Sequence, residues 1–426
     1  MGLRFIHAAD VHLGYEQYGN AERYNDFYRA LKWLADEVVS QEVDYLLLAG
    51  DLFNKFAIDP RTLYHATHEL ERLRNAGIRV LAIQGNHERP HYLDKFSWLE
   101  YLARMGLLTL LSTTYQDNTL ALVPVAPGEH RGSYVDLPGG VRVLGLPYSG
   151  ASTSRLVADL AEALPALPGP RPAYTVLMLH AGIEGVLPNY SGGLTRAQLA
   201  PLRPHVDYVA FGHIHKPFEQ DDWLYNPGSL ETTTTLEAPW TDRGCLLVEV
   251  DAAAPGRHHV TRLVNPRRPF RQIALEVDAL LAPEMLYATL QQRLSREQPA
   301  TEPTERPVAL LRLRGVLPFP RLELEPARLE TIVVQALNPL HFELRDESSA
   351  PGDIATLQTG LSPADLERQV LSELVERDVR YLGQGQHWAE MVIHVKQMAL
   401  ARSAPERIVD ELRAFRRESS AEEAPC

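Results

Sequence analysis

Five short segments of this chain carry residue types that bind metal ions and move protons: Asp10-x-His12, Gly50-Asp51, Gly85-Asn86-His87, His180 and Gly212-His213-Ile214-His215. On an extended backbone, alternation would put Asp10 and His12 on one side, where both reach a single ion. Gly50 lets the backbone approach a ligand closely. The two oxygens of Asp51 could bridge two cations, although an Asp here could also cap a following helix. Asn86 offers a neutral amide oxygen. His87 beside it could stand over a substrate phosphate without binding metal, as general acid for a leaving oxygen. His213 and His215 flank one apolar residue and make a credible metal pair. Each segment alone has a plain reading: a polar surface loop, a Gly-Asn turn, a hydrogen-bonded core histidine. As a set they mix carboxylate, amide and imidazole ligands, which suits manganese, iron or zinc better than calcium. One ion would be over-supplied. Two ions sharing Asp51 would each receive about four protein ligands.

The elements that must hold these residues are legible around them. Residues 3–8, 43–49, 79–83, 174–179 and 206–211 read as buried strands, and each ends at one of the five segments. In α/β folds the loops at the carboxyl ends of strands carry the site, so the shared pattern predicts one common site. Residues 26–39 have helical periodicity through Phe27, Leu31, Leu34 and Val38; residues 63–75 follow suit, with Gly77 as C-cap. A late strand is expected at 245–250. The basic, proline-containing stretch 265–271 reads as a linker. Beyond it, strands at 271–277, 308–314 and 341–344 and helices around Leu286–Leu290–Leu294 and 327–337 predict a small α+β domain. A second linker is expected at 349–360. Ser362-Pro363-Ala364-Asp365 then opens a helix, and three apolar faces follow: Leu366, Val370, Leu374 and Val379; Met391, Val392, Val395 and Met398; Ile408, Val409, Leu412 and Phe415. These helices are too few for a strong core of their own and either dock on a partner or pack on their own chain. Residues 418–426 read as a disordered tail.

In order and spacing, the five segments resemble the signature of the calcineurin-like metallophosphoesterases over roughly residues 1–265. The resemblance implies an α/β (α+β) fold, a two-sheet sandwich flanked by helices. A narrower resemblance is to the SbcD/YhaO nuclease subunit family of the double-strand-break repair complex. It is carried by Phe5-Ile6-His7-Ala8-Ala9-Asp10-Val11-His12-Leu13-Gly14-Tyr15, by Glu22-Arg23-Tyr24-Asn25-Asp26-Phe27, by Gly50-Asp51-Leu52-Phe53 and by Asn226-Pro227-Gly228-Ser229. It implies a nuclease domain at 1–265, a capping domain at 270–348 and C-terminal helices at 361–417 that bind an SbcC-like ATPase with a coiled coil. It implies two divalent ions, manganese foremost. Asp10, His12, Asp51 and His215 would hold one, and Asp51, Asn86, His180 and His213 the other. His87 and Asp51 would be catalytic, and a homodimer is expected. Tyr15, Arg23, Lys55, Arg89 and Lys216 are near enough to the segments to contact DNA, and each could equally be a solvated surface residue. The chain departs from that family at Asn54 and Lys55, where a histidine is common, and at Glu88, where Asp is frequent. The first change touches substrate handling; the second touches support of the loop.

With 426 residues the chain can bury several cores, and its 45% hydrophobic content excludes global disorder. No apolar run is long enough to span a bilayer, and the start of the chain lacks a signal-peptide core. Two cysteines, Cys245 and Cys426, cannot build a disulfide framework, so a cytoplasmic setting is expected. The net charge of −13 argues mildly against a general nucleic-acid binder, although metal-binding carboxylates count as negative in that sum. Three functions compete: a metal-dependent DNA exonuclease or endonuclease serving repair and recombination; a phosphatase or phosphodiesterase on a protein or small nucleotide; and a silent scaffold for an ATPase. The complete ligand set disfavours the scaffold. No Gly-x4-Gly-Lys-Ser/Thr sequence is present, so ATP would be used by a partner.

Overall fold

The computed structural model describes residues 2–89, 96–187, 192–251, 257–296, 305–349, 363–376, 381, 383–401 and 403–421. The chain begins with β1 (Arg4–Ala8), α1 (Ala21–Ser40), β2 (Tyr45–Leu48), α2 (Pro60–Asn75), β3 (Arg79–Ala82), α3 (Trp98–Arg104) and β4 (Thr109–Leu111). Asn20 caps α1 by accepting from the Glu22 amide. Asp59 caps α2 by accepting from the Arg61 and Thr62 amides, with Pro60 in the first turn. Those caps are why both helices begin earlier than their apolar periodicity indicates. The hairpin β5 (Thr114–Gln116) and β6 (Thr119–Ala121) follows, then β7 (Arg131–Gly132), β8 (Tyr134–Leu137), β9 (Val141–Leu146), α4 (Thr153–Ala163), β10 (Tyr174–His180), α5 (Arg196–Leu199), β11 (Tyr208–Gly212), β12 (Phe218–Gln220), β13 (Leu224–Asn226), β14 (Gly244–Val250) and β15 (His258–Val264).

Two sheets result. One has the order β15-β14-β1-β2-β3-β4-β7 and the other β12-β13-β11-β10-β9-β8. β1 to β4 run parallel, as do β9, β10, β11 and β13. Side-chain alternation builds three cores from these two sheets. On β2, Tyr45 and Leu47 pack with Tyr174, Val176 and Met178 of β10 between the sheets. Leu46 and Leu48 turn the other way, onto Leu31, Leu34, Leu70 and Leu102 of α1, α2 and α3. Leu177 and Leu179 of β10 face out onto Leu156, Leu160 and Leu199 of α4 and α5. The expected helix-flanked two-sheet sandwich is therefore observed.

β16 (Phe270–Glu276), α6 (Pro283–Arg296), β17 (Val308–Arg314), α7 (Pro326–Leu337) and β18 (His341–Asp346) continue the chain, with strand order β16-β17-β18. The stretch expected as a linker at 265–271 is packed instead. Asn265 and Arg268 are buried, and Arg268 donates to both carboxylate oxygens of Asp26 on α1 at 2.6 and 3.0 Å. A buried cation needs such a partner, and this one is 242 residues away in sequence. By compactness the chain divides into two units: 1–275 with 287–312 and 326–346, and 276–286 with 313–325 and 347–426.

The second unit contains α8 (Pro363–Glu376), α9 (Gly385–Leu400) and α10 (Pro405–Ala421). Trp388 of α9 meets the ring of Phe415 edge-on at 5.1 Å, and His387 stacks on the same ring at 4.2 Å. Val370, Leu374, Val392, Val409 and Leu412 remain exposed. Residues 418–421, expected in a disordered tail, belong to α10; residues 422–426 and nearly all of the second expected linker lie outside the described residues. Among the described residues no helix is long and apolar enough to cross a membrane.

Candidate metal centre

The parallel strands of both sheets end at one edge, and the five segments meet there. Asp10 and His12 follow β1, Asp51 follows β2, and Asn86 and His87 follow β3. His180 closes β10, and His213 and His215 follow β11. The backbone does not stay extended after β1. Asp10 and His12 have φ of 52° and 51°, Asp51 54° and His213 89°. Non-glycine residues avoid this left-handed region, so four such positions in one site mark backbone held against its preference. Alternation therefore gave the right convergence of Asp10 and His12 for the wrong reason. The loops are locked by main-chain bonds: Asp10 N–H to the Gly50 carbonyl at 3.1 Å and His12 N–H to the Asp51 carbonyl at 3.0 Å. A Cβ on Gly85 would lie 2.0 Å from the Asp51 carboxylate, and one on Gly212 would lie 2.1 Å from the Ala49 carbonyl oxygen. Both positions require glycine because of close approach.

The side chains converge tightly. Nε2 of His12 faces Nε2 of His215 at 3.0 Å, and Asp10 joins them in one ligand group. Asp10 and Asp51 form a second group with His180, whose Nε2 lies 3.3 Å from Asp51 Oδ2. Oδ1 of Asn86 sits 3.1 Å from His180 Nε2 and 2.9 Å from His213 Nδ1. His87 groups with His12 and Asp51. Its Nδ1 donates to the Asn54 carbonyl at 2.6 Å, and its amide donates to Asp51 Oδ1 at 3.0 Å. Facing imidazole nitrogens and paired carboxylates form a donor set that fits divalent cations.

Electrostatics agree with that fit. Burial, then the proximity of His215, lowers His12 to about 3. Burial, then His180, lowers His213 to about 4. Both are neutral near pH 7, with lone pairs free for a ligand role. His180 moves up to about 9. Burial would lower it, but the charge of Asp51 and its hydrogen bond outweigh burial. It would release a proton on loading. Asp51 is held well below the usual carboxylate range because His180 outweighs its own burial. Glu88 is pushed up to about 8 by burial and then by the charge of Asp51. It accepts from the amides of Asp51, Phe53 and Gly85 at 3.0–3.1 Å, pinning the loops after β2 and β3 together.

The expected DNA contacts separate. Lys55 and Arg89 are exposed, and Arg89 lies over the Tyr148 ring at 5.3 Å. Lys216 is half-buried, its ammonium donating to the Val186 carbonyl at 3.1 Å. Tyr15 is half-buried against Phe27. Arg23 is instead fully buried, donating to Gln17, Asp26 and the Thr232 carbonyl, so it has no surface with which to meet DNA. Two neighbours of the centre escaped sequence reasoning. Tyr148 follows β9 and packs against the rings of His213 and His180 at 5.3 and 6.0 Å. The same strand-end pattern that marks His180 would have flagged it. Glu237, reached through the loop after β13, holds His215 and has no local signal at all.

Residues 3–217 match the calcineurin-like phosphoesterase family, and this chain belongs to that family. It is similar to DNA double-strand break repair protein Mre11 of Archaeoglobus fulgidus, 32% identical over 55% of this chain and 52% of that protein. Mre11 of Saccharolobus solfataricus is 28% identical over 52% of each chain. Mre11 of Haloferax volcanii is 29% identical over 87% of this chain and 74% of that protein. The chain thus spans about half the length of the first two relatives.

Proposed function

We propose that this chain is a two-metal phosphodiesterase that cuts DNA, the nuclease subunit of a repair complex of the Mre11 kind. One observation carries the reading: seven candidate ligands from the strand ends of two sheets meet with His12 Nε2 opposite His215 Nε2 and Asn86 Oδ1 between His180 and His213. Asp10, His12, Asp51 and His215 would hold one divalent ion, and Asp51, Asn86, His180 and His213 the other. We take manganese as the working metal. Such ions acidify water and neutralise charge growing on phosphoryl oxygens. His87 donates from Nδ1 to the Asn54 carbonyl, which leaves Nε2 facing the substrate side; in the imidazolium form Nε2 would carry the second proton, the one given to the leaving sugar oxygen. Asp51 orients His87 through the amide bond. Arg89, over Tyr148, and exposed Lys55 are placed to attract a phosphate backbone. Residues 270–348 would cap the nuclease domain, and helices within 361–417, with their exposed apolar faces, would dock an ATPase coiled coil. A homodimer and a cytoplasmic setting belong to the same reading.

Burial of Arg23 and the net charge of −13 favour a second reading, hydrolysis of a smaller phosphodiester. The test is manganese with end-labelled duplex and single-stranded DNA, beside an Asp51→Ala control. DNA cleavage by the wild type alone supports the nuclease. Cleavage of bis(p-nitrophenyl) phosphate with intact DNA moves the assignment to the second reading.

A further inference from the structure

We infer that Glu237, outside every ligand segment, is a positioning residue for His215: it fixes the proton of that imidazole on Nδ1 and so presents the Nε2 lone pair to the ion. The inference rests on the two-metal reading above. His215 Nδ1 lies 2.8 Å from Glu237 Oε1 and 2.8 Å from Thr233 Oγ1. The Thr233 hydroxyl donates to Glu237 Oε1 at 2.7 Å, so its oxygen is free only to accept from His215. Both atoms facing Nδ1 are therefore acceptors, and Nδ1 must carry the hydrogen. Nε2 then points at His12 Nε2, 3.0 Å away. A carboxylate behind a ligand histidine fixes its tautomer and raises its basicity toward a metal.

The carboxylate is itself immobilised. Its Oε2 accepts from the Thr233 amide at 2.9 Å and from the guanidinium of Arg243 at 2.7 Å. Arg243 is fully buried and is further tied to Ser229 and the Glu231 carbonyl. Four donors on two oxygens leave Glu237 no second orientation. The plain alternative is that Glu237 exists only to neutralise Arg243.

The two roles differ in their effect on metal binding. Full-length protein, stripped with chelator, is titrated with Mn2+, and free Mn2+ is read from its paramagnetic resonance signal. Each variant is also melted with and without Mn2+ and compared with its own metal-free form, so that loss of fold stability cancels. Glu237→Gln is expected to weaken one of two Mn2+ sites by about 10- to 100-fold, leave the other within about threefold, and shrink the metal-induced rise in melting temperature. Thr233→Val, which removes no buried charge, is expected to weaken the same site about two- to fivefold. Glu237→Gln that binds both ions as the wild type does overturns the inference. If Glu237→Gln does not fold, unchanged Mn2+ affinity in Thr233→Val overturns it instead. A wild type that fails to take up two Mn2+ sinks the two-metal reading, and this inference with it. Normal wild-type binding with indifferent variants sinks the inference alone.

Discussion

The two sheets build their halves of the metal centre by different means. The β1–β3 side supplies Asp10, His12, Asp51, Asn86 and His87 from loops, three of them in left-handed backbone, and pins two of those loops through main-chain amides onto one carboxyl group, that of Glu88. The β10–β11 side supplies imidazoles. His180 still belongs to its strand, and its Nδ1 is seated on the Ala49 carbonyl at 2.7 Å. His215 is seated on the side chains of Thr233 and Glu237. The first half is aimed mainly by backbone geometry, with His87 also seated on the Asn54 carbonyl, and the second mainly by hydrogen bonds to ring nitrogens, with His213 also in left-handed backbone. Damage to the first half should therefore show as misplaced loops, and damage to the second as weakened individual ligands.

Asp51 is the largest lever because it belongs to both halves. Its Oδ1 accepts from the His87 amide, and its Oδ2 meets His180. Asp51→Ala should abolish binding of both ions and cut turnover by at least about 10³-fold, on the order of 4 kcal/mol of barrier. Mn2+ titration beside phosphodiester hydrolysis reads both; retention of either ion would break the idea that this carboxylate is shared. His87 comes next and separates chemistry from binding. His87→Ala should lower turnover by about 10²- to 10⁴-fold while Mn2+ affinity stays within about threefold. A parallel loss of metal would move His87 into the ligand set.

Glu88 tests the backbone-aimed half. In Glu88→Gln the amide nitrogen must face an N–H group that a carboxyl oxygen now accepts, at about 1–3 kcal/mol of stability. Chemical denaturation of the metal-free protein measures this. An unchanged midpoint would mean that the loops after β2 and β3 are held by other contacts.

How far these halves were legible follows from how they are built. His180 and the His213–His215 pair end apolar runs, and a strand that stops at a ligand is a local pattern. Asp51 and Asn86 announce themselves through their glycines, Gly50 and Gly85, where a Cβ would lie 2.2 Å from His180 Nδ1 and 2.0 Å from the Asp51 carboxylate. Glu88 was read as loop support because it lies inside a motif, but the remote supports were not legible. Glu237 reaches His215 across 22 residues of loop and strand, and Asp26 meets Arg268 across 242. Neither leaves a periodic trace. Arg23 misled for the same reason: an arginine beside a motif looks like a phosphate contact until Asp26 and Glu231 are seen to enclose it. The stretch at 265–271 failed likewise, because prolines and arginines read as solvated linker when their buried partners are remote.

The smallest effect concerns His7, which ties the two sheets together beneath the centre. Its Nε2 donates to the Phe211 carbonyl of β11 at 3.0 Å, so Nδ1 accepts from the Tyr208 hydroxyl at 3.0 Å. Burial, the largest cause, lowers this histidine to about 3, and the folded protein keeps it neutral. The unfolded chain binds its proton near pH 6.5. Between those values the unfolded state holds more protons, so stability from this group is complete above about pH 6.5 and falls as pH drops toward 3, by about 1.4 kcal/mol per unit. Relative to pH 7, about 2 kcal/mol should be missing at pH 5. His7→Leu removes the proton site along with two hydrogen bonds, so it should be less stable at pH 7 yet lose about 2 kcal/mol less between pH 7 and pH 5. Urea unfolding in chelator at both pH values gives the double difference without metal linkage. Equal acid sensitivity in the two proteins would show that the join between the sheets does not depend on a neutral His7.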